Sequence, residues 1–215
     1  MTDPEIVHLA VYDTLADWET GFATAHINKL SWQQQPGRYQ VQTVGLTGDP
    51  VTSMGGVTIT PDVTLSQLDP EDSAMLVLPG ADTWGTGELE PFMAKAQEFL
   101  DAGVPVAAIC GATIGLAMAG MLDDRPHTSN ASQALEYAPG YGGLDHYVDE
   151  PAVTDGDLIT GSGVAPVEFA REILAKLQVY TPEVLASWYK LYGQQDPAGY
   201  FELTAVEAGA AVGPE

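Results

Sequence analysis

The sequence predicts an α/β fold in which helices cover both faces of a mainly parallel sheet. Short apolar runs with β-branched members, at residues 74–78 and 104–109, are typical of strands buried on both faces. Stretches of helical length alternate with the strands along the chain, and this alternation favours parallel pairing. Sites in such sheets form beyond the carboxyl ends of the central strands.

The first half of the chain supplies most of the predicted strands. Thr14 followed by Asp17 matches a capping pattern, which predicts a helix from Thr14 to about Trp32. A second, amphipathic helix is predicted for residues 88–102. The predicted strands and hairpin of this half are residues 6–11, 39–46, 51–59 (a hairpin with Gly55-Gly56) and 74–78, which Pro79-Gly80 ends.

The second half begins with the central strand, residues 104–109, and the helix that follows it. Residues 147–160 predict a hairpin around Asp155-Gly156, and residues 163–177 predict a helix. Thr181-Pro182 marks one more helix start, and the aromatic face that follows (Trp188, Tyr189, Tyr192) indicates core or dimer packing. No linker divides the chain, so residues 1–178 form the α/β domain and residues 179–215 a C-terminal helical extension of it.

Composition limits the classes of function. Thirty acidic residues face seven lysines and arginines, a formal charge of −23. Such a surface repels nucleic acid and anionic membranes, because phosphate binding needs clustered cations. The charge fits a partner-excluding surface, adaptation to a salty cytoplasm, or simply a well-solvated surface.

Targeting signals and cysteine usage predict a cytoplasmic protein. No apolar run of about 18 residues exists to span a membrane, and the acidic start of the chain is unlike a signal peptide. A single cysteine excludes an internal disulfide and any multi-cysteine metal site. We expect no metal and no cofactor.

The single cysteine, Cys110, stands where the central strand turns into a helix. Ala108 and Ala112, two residues to either side, are small, as a sharp strand-to-helix turn requires of the neighbours of a nucleophile. A sulfur at that turn faces backbone N–H groups and the positive end of a helix, which favour the thiolate. The alternative is an inert, buried thiol.

Three segments of the sequence resemble the ThiJ/PfpI superfamily, which includes the Parkinson-disease protein and PfpI-type proteases. The resemblance covers roughly residues 5–178 and implies a flavodoxin-like three-layer sandwich of the class I glutamine amidotransferase type, with the helices after about Thr181 as an appendage. The segments are residues 17–20 (Asp-Trp-Glu-Thr), residues 75–80 (Met-Leu-Val-Leu-Pro-Gly) and residues 107–112 (Ala-Ala-Ile-Cys-Gly-Ala), the last followed by Arg125-Pro126-His127-Thr128.

The resemblance also implies roles for individual residues. Cys110 is the expected nucleophile, and Glu19 the carboxyl group that hydrogen-bonds its sulfur. Gly80 and Gly111 are the expected donors of backbone N–H groups to an oxyanion, with Ala81 beside them at the substrate. Without the resemblance, Glu19 is interpreted as a first-turn acid that complements a helix dipole.

The histidine of the site has two candidates, His127 and His146. His127 matches the histidine that follows the helix after the nucleophile in the Parkinson-protein branch, so it is a candidate base or orienting group. The alternative is a loop histidine that hydrogen-bonds backbone groups. His146 is the reserve candidate. PfpI-type proteases have a histidine directly after the nucleophile, where this chain has Gly111, and no histidine is followed two residues later by glutamate, which disfavours a glutaminase.

Three functions remain open at this point. The first is a cysteine-dependent hydrolase or hydratase, glyoxalase- or amidase-like, acting on a small carbonyl or amide substrate. The second is a sensor of oxidants or electrophiles in which Cys110 is oxidised to a sulfinate. The third is a stress-protective chaperone, and the family suggests a homodimer in each case.

Overall fold

The computed structural model describes residues 3–210, and a seven-stranded sheet forms its centre. The strands are Glu5–Ala10 (β1), Tyr39–Gly45 (β2), Val51–Thr52 (β3), Thr58–Ile59 (β4), Val63–Thr64 (β5), Met75–Leu78 (β6), Val106–Ile109 (β7), Ala152–Asp155 (β8) and Leu158–Gly161 (β9). In the sheet their order is β5-β2-β1-β6-β7-β9-β8, while β3 and β4 form a separate hairpin.

The sheet is parallel except at one edge. Every pairing from β5 to β9 is parallel, and only β8 runs antiparallel to its neighbour β9. The β8–β9 and β3–β4 hairpins confirm the two predicted around Asp155-Gly156 and Gly55-Gly56. Strand order reverses between β1 and β6, so the carboxyl ends of β1, β6 and β7 border the crevice where ligands bind in such sheets.

Helices cover both faces of the sheet and confirm the three-layer prediction. They are Gly21–Asn28 (α1), Glu90–Asp101 (α2), Gly111–Met118 (α3), Ser132–Glu136 (α4), Pro166–Lys176 (α5), Pro182–Tyr192 (α6) and Ala198–Ala210 (α7). Within residues 3–210, no helix combines the length and apolar character needed to cross a membrane.

Strand β6 shows why its sequence is uniformly apolar. Leu76 and Leu78 face the core under α2 and α3, whereas Met75 and Val77 face the core under α1, α5 and α6. Successive side chains of a strand point to opposite faces, so a strand between two helical layers needs apolar residues at every position.

The predicted C-terminal extension packs onto the core that lies under α1 and α5. Thr181 caps α6 by accepting a hydrogen bond from the N–H of Val184 at 3.3 Å, and Pro182 occupies the first turn. Trp188 of α6 is fully buried in the core, as is Leu203 of α7. Residues 211–215 of the predicted extension lie outside the described residues.

The helix predicted from Thr14 to about Trp32 is too long at both ends, because α1 begins only at Gly21, about two turns later, and ends at Asn28. Thr14 has a φ of +62°, which no helix accommodates. The carboxylate of Asp17 instead accepts hydrogen bonds from Ser53 Oγ and from the N–H of Gly55, at the tip of the β3–β4 hairpin. This tertiary partner outweighs the local capping pattern, and Glu19 lies in the turn before α1 rather than in a helix.

Candidate active site

Cys110 lies at the sharp turn between β7 and α3, as predicted. Its backbone has φ +58° and ψ −122°, a combination that costs a non-glycine residue about 1–3 kcal/mol. Hydrogen bonds hold the turn: the N–H of Cys110 donates to the carbonyl of Gly161 at 2.9 Å, and the N–H of Thr113 donates to the carbonyl of Cys110 at 3.1 Å. The turn directs the thiol beyond the carboxyl edge of the sheet.

Glu19 is the carboxyl group beside this thiol. Its exposed fraction is 0%, and Oε2 accepts a hydrogen bond from the N–H of Gly80 at 2.6 Å. Oε1 is buried and has no hydrogen-bond partner among the described residues. Burial raises the pKa of Glu19, while the hydrogen bond from Gly80 and the proximity of the Cys110 thiol act in the opposite direction. The carboxyl therefore keeps its proton to a higher pH than an ordinary glutamate.

Two glycines create the space that the thiol and the carboxyl share. A Cβ on Gly163 would lie 2.7 Å from Sγ of Cys110 and 3.0 Å from Oε1 of Glu19. A Cβ on Gly80 would lie 3.0 Å and 2.9 Å from the same two atoms. Sulfur and carboxyl oxygen are thus neighbours in a gap that only backbone can border.

Of the two backbone N–H groups predicted to bind an oxyanion, the structure leaves one available. The N–H of Gly80 is bonded to Glu19 and is not free for a substrate oxygen, which corrects the role expected of it. The N–H of Gly111 hydrogen-bonds Cys110 and lowers its pKa, so it remains a donor at the sulfur. The carbonyl oxygen of Ala81 lies 3.1 Å from where a Cβ on Gly111 would be, so Ala81 packs against the start of α3.

Asn130 contacts the thiol and was missed by the sequence analysis. Its Nδ2 donates to Sγ of Cys110 at 3.2 Å, and its Oδ1 accepts from the N–H of Gly163 at 2.7 Å. The Gly163 bond fixes the amide orientation, since an N–H can pair only with the oxygen. Its sequence position could have indicated this contact, because Asn130 follows His127 by three residues, on the segment that passes the carboxyl edge of the sheet.

His127 does not hydrogen-bond the thiol, contrary to the role expected of it. Its side chain is fully buried; Nδ1 donates to the carbonyl of Arg125 at 2.8 Å, and Nε2 accepts from the hydroxyl of Tyr141 at 2.7 Å. Burial lowers the pKa of His127, which favours this neutral form. The alternative interpretation, a loop histidine bonded to backbone, fits the geometry. Among the described residues, His146 likewise makes no side-chain bond to Cys110; its carbonyl accepts from the N–H of His127.

The surroundings of Cys110 alter the predicted ionisation of its thiol. Burial raises the pKa of Cys110, the hydrogen bonds from Asn130 and Gly111 lower it, and the charge of Glu19 raises it further. The sequence predicted a lowered pKa, from the backbone N–H groups of the turn and the positive end of the helix. The difference arises because the sulfur is half-buried beside a carboxyl group, so thiol and carboxyl form a coupled pair.

A cleft of about 460 Å³ opens onto the thiol. The indole N–H of Trp18 donates to the carbonyl of Gly163 at 2.8 Å, which fixes the ring at the rim. In residues 3–210, no three His, Cys, Asp or Glu side chains cluster so as to hold a metal ion. The cleft is lined by Trp18, Cys110, Asn130, Ser162, Gly163, Val164 and Pro166.

The chain is similar to known proteins along most of its length. A model of the DJ-1/PfpI family matches residues 6–176. Two Bacillus subtilis proteins named as uncharacterized proteases are similar: YoaZ is 42% identical over 92% of this chain and 95% of its own length, and YdeA is 32% identical over 80% and 83%. The crystal structure of a thiJ/pfpI family protein from Bacillus anthracis, 39% identical, covers 94% of this chain and 96% of that one with a TM-score of 0.88. The chain therefore belongs to the DJ-1/PfpI family, which confirms the resemblance drawn from its sequence segments.

Proposed function

We propose that the chain is a cysteine-dependent enzyme for small carbonyl or amide electrophiles, with Cys110 as nucleophile and Glu19 as the group that moves protons. One observation carries the proposal: Oε1 of Glu19 is fully buried, lacks a hydrogen-bond partner among the described residues, and neighbours Sγ of Cys110. An unpaired buried carboxyl oxygen costs free energy of folding. Its place beside a thiol gives it a use as proton acceptor and donor.

The proposed chemistry can be followed atom by atom for a 2-oxoaldehyde. Sγ of Cys110 adds to the aldehyde carbon while the thiol proton passes to Glu19, and the N–H groups of Gly111 and Asn130 stabilise the oxygen that gains charge. Glu19 returns the thiol proton to the substrate oxygens, where it stays as the hydroxyl of the product. As a carboxylate again, Glu19 then carries the hydrogen of the aldehyde carbon, as a proton, to the neighbouring carbon, which leaves the thioester of a 2-hydroxy acid on Cys110. Water cleaves the thioester, so the sum is addition of one water to give a 2-hydroxy acid, without an oxidant or reductant.

The contacts of the thiol favour this chemistry over peptide cleavage. Asn130 donates a hydrogen bond to Sγ but accepts no proton, because a carboxamide does not titrate in the physiological range. An amine leaving group needs a proton donor, and cysteine proteases use an imidazole for it, so the same contacts also favour carbonyl substrates over small amides. The two Bacillus subtilis relatives are named as uncharacterized proteases, so peptidase activity is the alternative and should be measured beside activity on carbonyl compounds.

The same donors support a second candidate, a sensor of peroxide or electrophiles. Asn130, the N–H of Gly111 and a protonated Glu19 converge on Sγ, and sulfinate oxygens accept hydrogen bonds of that kind. Intact mass after peroxide treatment tests this candidate. A sensor stops at a gain of about 32 Da, two oxygens on Cys110, whereas an unprotected thiol continues to the sulfonate.

Consumption of methylglyoxal by the purified protein tests the leading proposal. We expect Cys110→Ser to abolish it and Glu19→Gln to lower kcat by about 100-fold or more, the usual contribution of a proton-transfer group. Glu88→Gln is the matched control, since Glu88 is exposed and does not line the cleft, and it should leave the rate unchanged. A folded, alkylatable wild type that consumes neither methylglyoxal nor a small amide would contradict the proposal, as would cleavage of a labelled peptide mixture that depends on Cys110.

A further inference from the structure

We propose that the cleft at Cys110 selects uncharged carbonyl compounds with a flat apolar substituent and rejects anionic ones such as 2-oxo acids and sugar phosphates. The inference names the substrate class of the proposed function and rests on it. Three features of the molecule support it: the location of the cations, the acidic surroundings of the cleft, and an oriented tryptophan at its rim.

All seven lysines and arginines of the chain lie within the described residues, and none lines the cleft. Six of them are within 4.0 Å of a carboxylate, and the seventh lies over an indole ring 4.0 Å from its centroid. The pairs are Arg38–Glu5, Lys95–Glu98, Arg125–Asp155, Arg171–Glu172, Lys176–Asp157, Lys190–Glu202 and Lys29–Trp32. A carboxylate or phosphate in the cleft would thus lack the cation that binds such groups in proteins.

The cleft also borders a second cleft, of about 450 Å³, whose wall is acidic. Asn130, Ser162 and Val164 line both clefts, so the two adjoin, and the second is lined by three acidic residues, Asp149, Glu150 and Glu168. Salt screens interactions between charges fully only beyond about 10 Å at ordinary ionic strength, so carboxylates in an adjoining cleft contribute to the potential near the thiol. An anion approaching Cys110 therefore meets like charge, whereas a neutral carbonyl does not.

Trp18 supplies the favourable surface for a neutral substrate. Its exposed fraction is 51%, yet the bond from its indole N–H to Gly163 fixes the ring. Gly163 also lies beside Sγ of Cys110, so the exposed ring and the thiol both contact this one residue. Val164, 92% exposed, adds apolar surface nearby. A fixed aromatic ring stacks well against a flat apolar group.

Alkylation of Cys110 by three matched reagents tests the inference without requiring turnover. Iodoacetamide is neutral and small, N-phenyliodoacetamide adds a flat ring, and iodoacetate is anionic. Each rate is divided by the rate of the same reagent with glutathione, which removes intrinsic reactivity. We expect the phenyl reagent to gain about 5-fold over iodoacetamide, from stacking, and iodoacetate to lose about 10-fold, from repulsion.

Variants locate the two effects. Trp18→Ala should remove the gain of the phenyl reagent and Trp18→Phe should keep most of it, whereas Phe201→Ala, at an exposed aromatic residue of α7, should leave it unchanged. Asp149→Asn should recover part of the iodoacetate rate, and Asp101→Asn, the same charge change at the end of α2, should not.

The outcomes separate this inference from the proposed function. Normalised rates that are equal for all three reagents would overturn the inference even if the protein consumes methylglyoxal. A protein that shows the expected reagent preference but consumes no carbonyl or amide would retain the selectivity of the cleft and lose the proposed reaction. If the protein is active, kcat/KM for phenylglyoxal should exceed that for methylglyoxal, and glyoxylate should not be consumed.

Discussion

The substitution Gly163→Ala tests the central geometry of the site, the gap shared by thiol and carboxyl. The added Cβ would lie 2.7 Å from Sγ of Cys110, about 1 Å closer than an ordinary contact between such atoms. Neither side yields easily. Gly163 is bonded to both Asn130 and Trp18, and the turn at Cys110 is held by backbone hydrogen bonds.

Overpacking of this kind costs about 1–3 kcal/mol. With a urea dependence of about 2 kcal/mol per molar, we expect the urea midpoint of unfolding to fall by roughly 1 M. Displacement of Sγ from Asn130 should also slow alkylation of Cys110 by iodoacetamide at pH 7 by about 10-fold, because a loss of about 1.4 kcal/mol of thiolate stabilisation lowers its population tenfold.

Gly21→Ala is the control for this substitution. A Cβ there meets nothing within 4 Å, and Gly21 is the first residue of α1, where alanine favours the helix. Its urea midpoint should stay equal or rise slightly, with an unchanged alkylation rate. If Gly163→Ala behaves like this control, Sγ and Oε1 do not occupy the gap, and the proposed pairing of Cys110 with Glu19 is refuted.

Substitutions at three further positions probe single side chains. Asn130→Ala should raise the pKa of Cys110, since it removes a hydrogen-bond donor to the thiolate, and Asn130→Asp should raise this pKa further by adding a negative charge. The pH dependence of the alkylation rate measures both shifts. A pH profile equal to that of the wild type would exclude the contact between Asn130 and the sulfur. Burial, with a smaller contribution from Lys29, lowers the pKa of His26 to about 4, so the unfolded chain binds a proton from about pH 6.5 downward while the folded protein does not. Unfolding free energy should therefore fall by up to about 3 kcal/mol from pH 7.5 to 4 relative to His26→Gln, and parallel curves for the two proteins would contradict this. Thr113→Val removes a hydroxyl 2.6 Å from the carbonyl of Cys110 and 2.7 Å from Ser129 Oγ, and should cost about 1–3 kcal/mol in a urea melt; a smaller loss would mean that the bonds are weak.

The sheet and the strand-to-helix turn at Cys110 were predictable because local sequence patterns determine them. A strand between two helical layers must be apolar at every position, so β6 and β7 can be identified without knowledge of their partners. The start of α1 was not predictable in this way. Asp17 pairs with a hairpin tip 36 residues further along the chain, and no local pattern reveals that contact.

The site was predictable only in part, for a similar reason. Cys110 and Glu19 were correctly expected to be neighbours, yet Glu19 occupies the N–H of Gly80 that had been expected to bind an oxyanion. His127 was expected at the thiol because it matches a family histidine by its place after the helix that follows the nucleophile. The segment after it reaches the thiol only at Asn130, and which residue of a loop arrives there depends on the packing of α3, β9 and the loop together.

The exchange of an imidazole for a carboxamide at the thiol determines how protons can move in this site. An imidazole would switch between donor and acceptor near neutral pH, whereas Asn130 donates to Sγ at every pH. Glu19 is then the carboxyl group beside the sulfur, and a proton that leaves the thiol has that carboxyl as its acceptor. While thiol and carboxyl share one proton, the pair carries a single negative charge, and loss of the second proton would place two negative charges in a buried gap without a cation. The acidic surface of the chain opposes that loss further, so the same charge distribution that rejects anionic substrates also keeps the proton on the pair.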